Sequence, residues 1–137
     1  MQRSFTSANW TSADTLAKIF GGIFLVAGVL GFIPNPLISA RGLFEVNTFH
    51  NIVHMITGGV LLASPYYNAP VVTLRAVGVI YALVTLLGFI SLNTLESMGM
   101  AANAPDNWLH LLLSGAMLWA GFTLPETDRD RITTAHM

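Results

Sequence analysis

Four apolar stretches separated by short polar or proline-containing links dominate the chain: Ile19–Ile33, Ile52–Ala63, Ala76–Leu92 and Trp108–Leu124. With their flanks they reach roughly 17–20 residues each, the lower end of what crosses a bilayer core as a helix. In hydrocarbon a backbone must satisfy its own hydrogen bonds within the segment, so helices rather than strands are expected. Pro34-Asn35-Pro36 closes the first stretch, because proline cannot continue a helix. Asn47 or Thr48 is placed to cap the second, and the run from Ser64 to Pro70 links it tightly to the third. Pro105-Asp106 opens the fourth, with Asp106 as the expected N-cap. The pattern predicts an all-α membrane protein of four transmembrane helices, arranged as two hairpins in a bundle. Residues 1–15 read as an N-terminal cytoplasmic or interfacial segment in which Phe5 and Trp10 are apolar. Residues 16–124 form the transmembrane domain, and residues 125–137 a polar tail that includes His136.

Composition strengthens the membrane reading. Of 137 residues, 53% are apolar and 9% charged, whereas a soluble domain carries about 25% charged residues. That balance excludes an ordinary soluble domain, a basic nucleic-acid binder and a disordered chain. The absence of cysteine excludes disulfides, thiolate metal sites, iron–sulfur clusters and a cysteine nucleophile. In a four-span topology Arg3, Lys18, Arg75, Arg129 and Arg131 fall on one side and Arg41 on the other. The positive-inside rule then puts both termini of this multi-pass protein in the cytoplasm. Trp10, Trp108, Tyr66 and Tyr67 read as interfacial anchors, and Trp119 as a packing residue. A signal-peptide reading, with cleavage after Ala40, would remove a span that the internal repeat requires.

The two halves of the chain resemble each other. The segment Asn47 to His54 aligns without gaps on Asn103 to His110, an offset of 56, pairing Asn47 with Asn103, Asn51 with Asn107 and His54 with His110. Gly59 meets Gly115 at the same offset, and Gly58 meets Ser114. Gly31-Phe32-Ile33 recurs as Gly88-Phe89-Ile90 at an offset of 57. The repeats run over about 16–64 and 70–124. Two hairpins of equal orientation imply a pseudo-twofold axis along the membrane normal. The second and fourth spans then run parallel, with their N-terminal ends at one membrane face.

That arrangement gathers the candidate chemistry. Residues four apart share a helix face, so His50, His54 and Gly58 line one stripe of the second span and Asp106, His110 and Ser114 one stripe of the fourth. With Asn47 and Asp106 as caps, His110 sits about one residue deeper than His50, and His54 about three deeper again. Three imidazoles and a carboxylate can hold a divalent metal. Alternatively, His54 and His110 can supply two axial haem ligands, or imidazoles that titrate near neutrality can handle protons or ions. The plainer reading is a structural polar network in which Asn47, Asn51, Asn107 and Ser114 support the imidazoles and cap helices. Met98 and Met100 are thioether candidates for copper, and Glu45 and Glu96 candidate additional ligands, each more simply read as loop residues. Gly21, Gly22, Gly28, Gly31, Gly58, Gly59 and Gly115, with the Gly78/Ala82 pair, read as helix-packing positions. No Gly-x-Ser-x-Gly, zinc-protease or phosphate-loop motif is present.

The run Val26 to Pro34, then Gly42 to Asn47, His50-Asn51-Ile52-Val53-His54 with Gly58, and finally Asp106-Asn107-Trp108-Leu109-His110 carry a family resemblance over about residues 17–124. The sequence resembles the bacterial membrane proteins grouped as domain of unknown function 4383. Ser114 departs from the glycine expected after the last motif. The resemblance implies a four-span, multi-pass protein of the bacterial inner membrane and no particular reaction. With short connections that leave no room for a soluble catalytic domain, the leading expectation is a non-enzymatic structural or accessory component. Its partners are the lipid bilayer and either a larger membrane complex or further copies of itself. The alternatives are a metal- or haem-binding redox protein using His50, His54, Asp106 and His110, and a small transporter or proton channel.

Overall fold

Each long helix begins where a polar side chain or a proline deals with the first free backbone N–H groups. A computed structural model describes residues 12–125 of the chain. Arg3, Phe5, Trp10, Arg129, Arg131 and His136 lie outside the described residues. Ser12 caps α1 (Ala13–Leu30), its Oγ accepting from Thr15 N at 3.2 Å. Asn47 caps α2 (Thr48–Ala63) by accepting from His50 N at 2.9 Å. Helix α3 (Pro70–Ile90) starts on Pro70, whose missing N–H needs no cap. The short α4 (Leu92–Ser97) comes next, and then α5 (Ala104–Thr123), capped by Asn103, which accepts from Asp106 N at 3.1 Å. Asp106 is therefore not the cap expected from the sequence but the third residue of the helix. Two two-residue strands, β1 (Ile38–Ser39) and β2 (Phe44–Glu45), pair within the α1–α2 loop.

Helix α1 also ends before Pro34. Its last residue is Leu30, and Asn35 shapes the turn beyond it. The Asn35 amide nitrogen reaches the carbonyls of Leu30, Ile33 and Ile38, while its Oδ1 accepts from Leu37 N and Ile38 N. At the opposite end, the link from α2 to α3 turns through Asn68, whose φ of 57° is a left-handed conformation that asparagine tolerates.

The helix starts preserve the repeat: α1 and α3 begin 57 residues apart, α2 and α5 begin 56 apart. The close approaches preserve it too. A Cβ on Gly21 would meet Leu62 Cγ at 2.8 Å, and one on Gly78 would meet Leu118 Cγ at 2.9 Å. Gly31 lies against the Asn51 side chain and Gly88 against that of Asn107. So α1 packs on α2 as α3 packs on α5, and the two pairs share a core that includes Phe20, Phe24, Leu61, Leu74, Tyr81 and Met117. Gly28 and Gly58 also meet the partner helix closely: a Cβ on Gly58 would lie 2.7 Å from Leu25 N. Gly22, Gly59 and Gly115 do not: a Cβ on any of them meets nothing within 4 Å. Their helix phase turns them away from the neighbouring helix, so they are not packing glycines within the described residues.

Beside this apolar core the interior holds a group of polar side chains, and much of the surface is apolar. His50, Asn51, His54, Thr85, Asp106, Asn107, His110 and Ser114 are buried, while Val26, Ile56, Leu83, Ile90, Leu112 and Phe122 are exposed. Trp119, expected to pack inside, is also exposed. The structure is all-helical apart from the two short strands, and α1 and α3 are long and apolar enough to cross a membrane. Helix α2 is apolar but shorter, at 16 residues.

The two adjacent glycines of α2 separate packing from propensity. Gly58→Ala is expected to lower stability by about 1–3 kcal/mol, because the new methyl strikes backbone of α1. Gly59→Ala is expected to be neutral or to stabilise by up to about 1 kcal/mol. Thermal unfolding of both variants in mild detergent checks the ordering.

Candidate metal centre

The N-terminal turns of α2 and α5 are brought to one level by their caps. Asn47 and Asn103 are repeat mates, and each reaches across to the other hairpin. Asn47 Nδ2 donates to Gly99 O at 2.9 Å, and Asn103 Nδ2 donates to Leu43 O at 3.0 Å. With both caps 56 residues apart, His54 and His110 sit at equal depth, and so do His50 and Asp106. The stagger expected from an Asp106 cap does not occur.

His50, His54, Asp106 and His110 converge as the repeat predicts, and each is 5% exposed or less. His50 Nε2 lies 3.0 Å from His54 Nε2, which lies 3.3 Å from His110 Nε2. One nitrogen from each of the three rings lies within 4.8 Å of the others. The outer nitrogens are held differently. His50 Nδ1 donates to Ala101 O at 2.6 Å, since a carbonyl only accepts. His110 Nδ1 faces Asp106 Oδ2 at 3.4 Å. His54 Nδ1 is buried with no hydrogen-bond partner.

These contacts leave a surplus of lone pairs. A neutral His50 that donates through Nδ1 turns a lone pair toward His54, and His110 does the same if its Nδ1 carries the proton toward Asp106. His54 Nε2 has at most one proton to offer two acceptors. A cation bound by all three Nε2 atoms removes the conflict. Tetrahedral coordination at zinc–nitrogen distances near 2.0–2.1 Å separates ligand nitrogens by about 3.3 Å, close to the two spacings found. Asp106 fits the outer position that usually orients a metal-bound imidazole.

The supporting residues divide. Asn107 ties helices rather than imidazoles, its Nδ2 donating to Thr85 O at 3.2 Å, and the Asn51 and Asn107 amides both lie against glycines of the paired helix. Ser114 donates to Leu111 O of its own helix. Glu45, Glu96 and Met98 are exposed and stand apart from the three nitrogens, whereas Met100 borders a small cavity beside His50 and His110.

Three contributors were not singled out from the sequence. Phe24 packs edge-on to His54 with ring centroids 5.3 Å apart, and Tyr81 packs edge-on to His110 at the same distance. The two rings also touch each other, at 4.8 Å. Phe24 and Tyr81 are mates at the 57-residue offset, which is the signal that would have found them. Asn103, the third, lay inside the aligned segment opposite Asn47.

The crossed asparagines can be separated into cap and tie. Asn103→Ala is expected to cost about 1–2 kcal/mol. Asn103→Asp keeps the acceptor that caps α5 and loses the donor to Leu43, so it should recover about half of that loss. Unfolding of the two variants in detergent measures the difference.

No curated protein and no solved structure matches the chain. The family described as Domain of unknown function (DUF4383) matches residues 14–123, from the second residue of α1 to the last of α5. That span takes in both hairpins and every residue of the histidine cluster. The chain belongs to the DUF4383 family.

Proposed function

We propose that this is a four-span membrane protein whose cluster binds one divalent metal ion, zinc being the ion that the donors suit best. The observation that carries the proposal is the convergence of three Nε2 atoms at 3.0 and 3.3 Å. Three neutral imidazoles with no thiolate match a zinc site of three protein ligands and one open position. Asp106 supplies negative charge beside His110 and orients that ring. A buried carboxylate is costly without a nearby positive charge, and a metal ion at the cluster provides one.

The membrane setting draws support from α1 and α3, from the apolar exterior and from the buried polar interior. A bilayer favours that arrangement, because outward-facing leucines cost nothing in lipid and buried polar groups bind one another. Lys18 and Arg75 near the starts of α1 and α3, against Arg41 in the α1–α2 loop, agree with cytoplasmic termini in a bacterial inner membrane. The cluster would then lie near the outer face.

The spacing favours a bare ion over a haem. Axial ligands stand on opposite faces of a macrocycle, whereas the Nε2 atoms of His54 and His110 lie 3.3 Å apart and His50 Nε2 lies 3.0 Å from that of His54. A purely structural role in a larger complex is the second reading. It is supported by the crossed Asn47 and Asn103 ties, which hold the two hairpins together without any ion.

Protein purified in mild detergent is expected to hold or take up one zinc per chain, measured by elemental analysis. His54→Ala and His110→Ala should abolish uptake, and Asp106→Asn should weaken it about 10- to 100-fold. Binding should weaken as the pH is lowered, because imidazole must be neutral to ligate. Folded protein that takes up no zinc would leave the structural reading.

A further inference from the structure

The two hairpins differ in the loops that lead into α2 and α5. In the first, β1 and β2 pair; in the second, α4 stands in their place. Helix α4 ends in a Schellman turn. Gly99 N donates to Glu96 O at 2.9 Å and Met100 N to Leu95 O at 3.0 Å, with Gly99 at a φ of 85° that glycine adopts without strain. The carbonyls on either side of Met100 are engaged as well. Gly99 O accepts from Asn47 Nδ2 at 2.9 Å, and Ala101 O accepts from His50 Nδ1 at 2.6 Å. Met100 is thus fixed beside the start of α2, where it lines a cavity of about 50 Å³ together with His50 and His110. Met98, two residues earlier, is exposed.

The repeat shows what is particular about this position. At the offset of 56 the mate of Met100 is Phe44, as the mate of His50 is Asp106. Phe44 belongs to β2, which packs against α5. The two exchanges go together: the loop at α2 carries a thioether where its helix carries an imidazole, and the loop at α5 carries a phenyl where its helix carries a carboxylate. Phenylalanine or methionine can each serve an apolar contact, but only methionine brings a metal donor. Within the proposed metal centre, on which this inference rests, three neutral imidazoles leave one position open. A thioether is a soft, uncharged ligand that suits Cu(I) better than zinc. The charge count agrees. Asp106 is the one buried carboxylate among the described residues, and when ionised it balances a monovalent ion but leaves a divalent one with surplus charge, which is costly in the interior.

We propose that Met100 is the fourth ligand of the centre, and that the site takes Cu(I) in competition with zinc through the three imidazoles and the Met100 thioether.

The test uses the full chain in mild detergent and sulfur-free buffer, loaded without oxygen with Cu(I) or, in separate samples, with zinc. One Cu(I) per chain is expected, and X-ray absorption at the copper edge should show a sulfur neighbour beside imidazole nitrogens. The chain has no cysteine, so a sulfur ligand has to be methionine. Met100→Leu keeps the apolar volume and removes the sulfur. It should erase the sulfur signal and weaken Cu(I) at least about tenfold, while zinc affinity changes by less than about threefold. Retained zinc shows that the variant is folded. A copper shell without sulfur, a sulfur signal that survives in Met100→Leu, or equal weakening of both metals would each overturn the inference. Zinc uptake separates the two readings: zinc bound alongside any of those results overturns this one alone, and folded protein that binds neither metal overturns the metal centre and this inference with it.

Discussion

Two parallel helices that begin at the same level are the constraint on which the rest of this structure depends. The level is set by Asn47 and Asn103, each capping its own helix and donating to a loop of the opposite hairpin. Caps fix a helix start at a defined residue, so every later position on the helix inherits the register. His54 and His110 fall side by side because each is seven residues beyond its cap. A slip of one residue in either helix would rotate an imidazole by about 100° away from the others. The glycine approaches of Gly21 and Gly58, with Gly78 on the other hairpin, bring the paired helices close enough to surround the rings.

The cluster is polar chemistry enclosed by hydrocarbon. Phe24 and Tyr81 pack on His54 and His110 from opposite hairpins. Inside such a shell a polar contact strengthens and an unmatched polar group becomes expensive. Three imidazoles with one surplus lone pair and a buried carboxylate form an unbalanced set in isolation. A divalent ion at the three nitrogens would balance it. The proposed metal site arises from this one imbalance.

Much of this is legible in the sequence. The offset of 56 between the two Asn-x-x-x-Asn-x-x-His segments places His54 beside His110 and Asp106 level with His50, and family membership extends over the same span. The cap of α5 is harder to read, because Asp106 is itself a strong capping residue preceded by proline. The better signal is the identity of Asn103 with Asn47. Pro34 marks the end of α1 only loosely, since Asn35 organises that turn through its side chain. Gly59 and Gly115 repeat faithfully yet face outward, since a repeat preserves position without saying which face a residue occupies. A cavity of about 510 Å³ between α1 and α5 is hidden from a search for repeats: it is lined by Ala27, whose mate Val84 borders a related groove of only about 50 Å³.

The central claim is that His50, His54 and His110 share one ion. X-ray absorption at the zinc edge of the loaded protein tests it most directly. The account predicts a first shell of three imidazole nitrogens and one further light atom at about 2.0–2.1 Å, with the imidazole multiple-scattering pattern lost in His54→Ala. A shell of oxygen atoms alone, without imidazole scattering and unchanged in that variant, would contradict it.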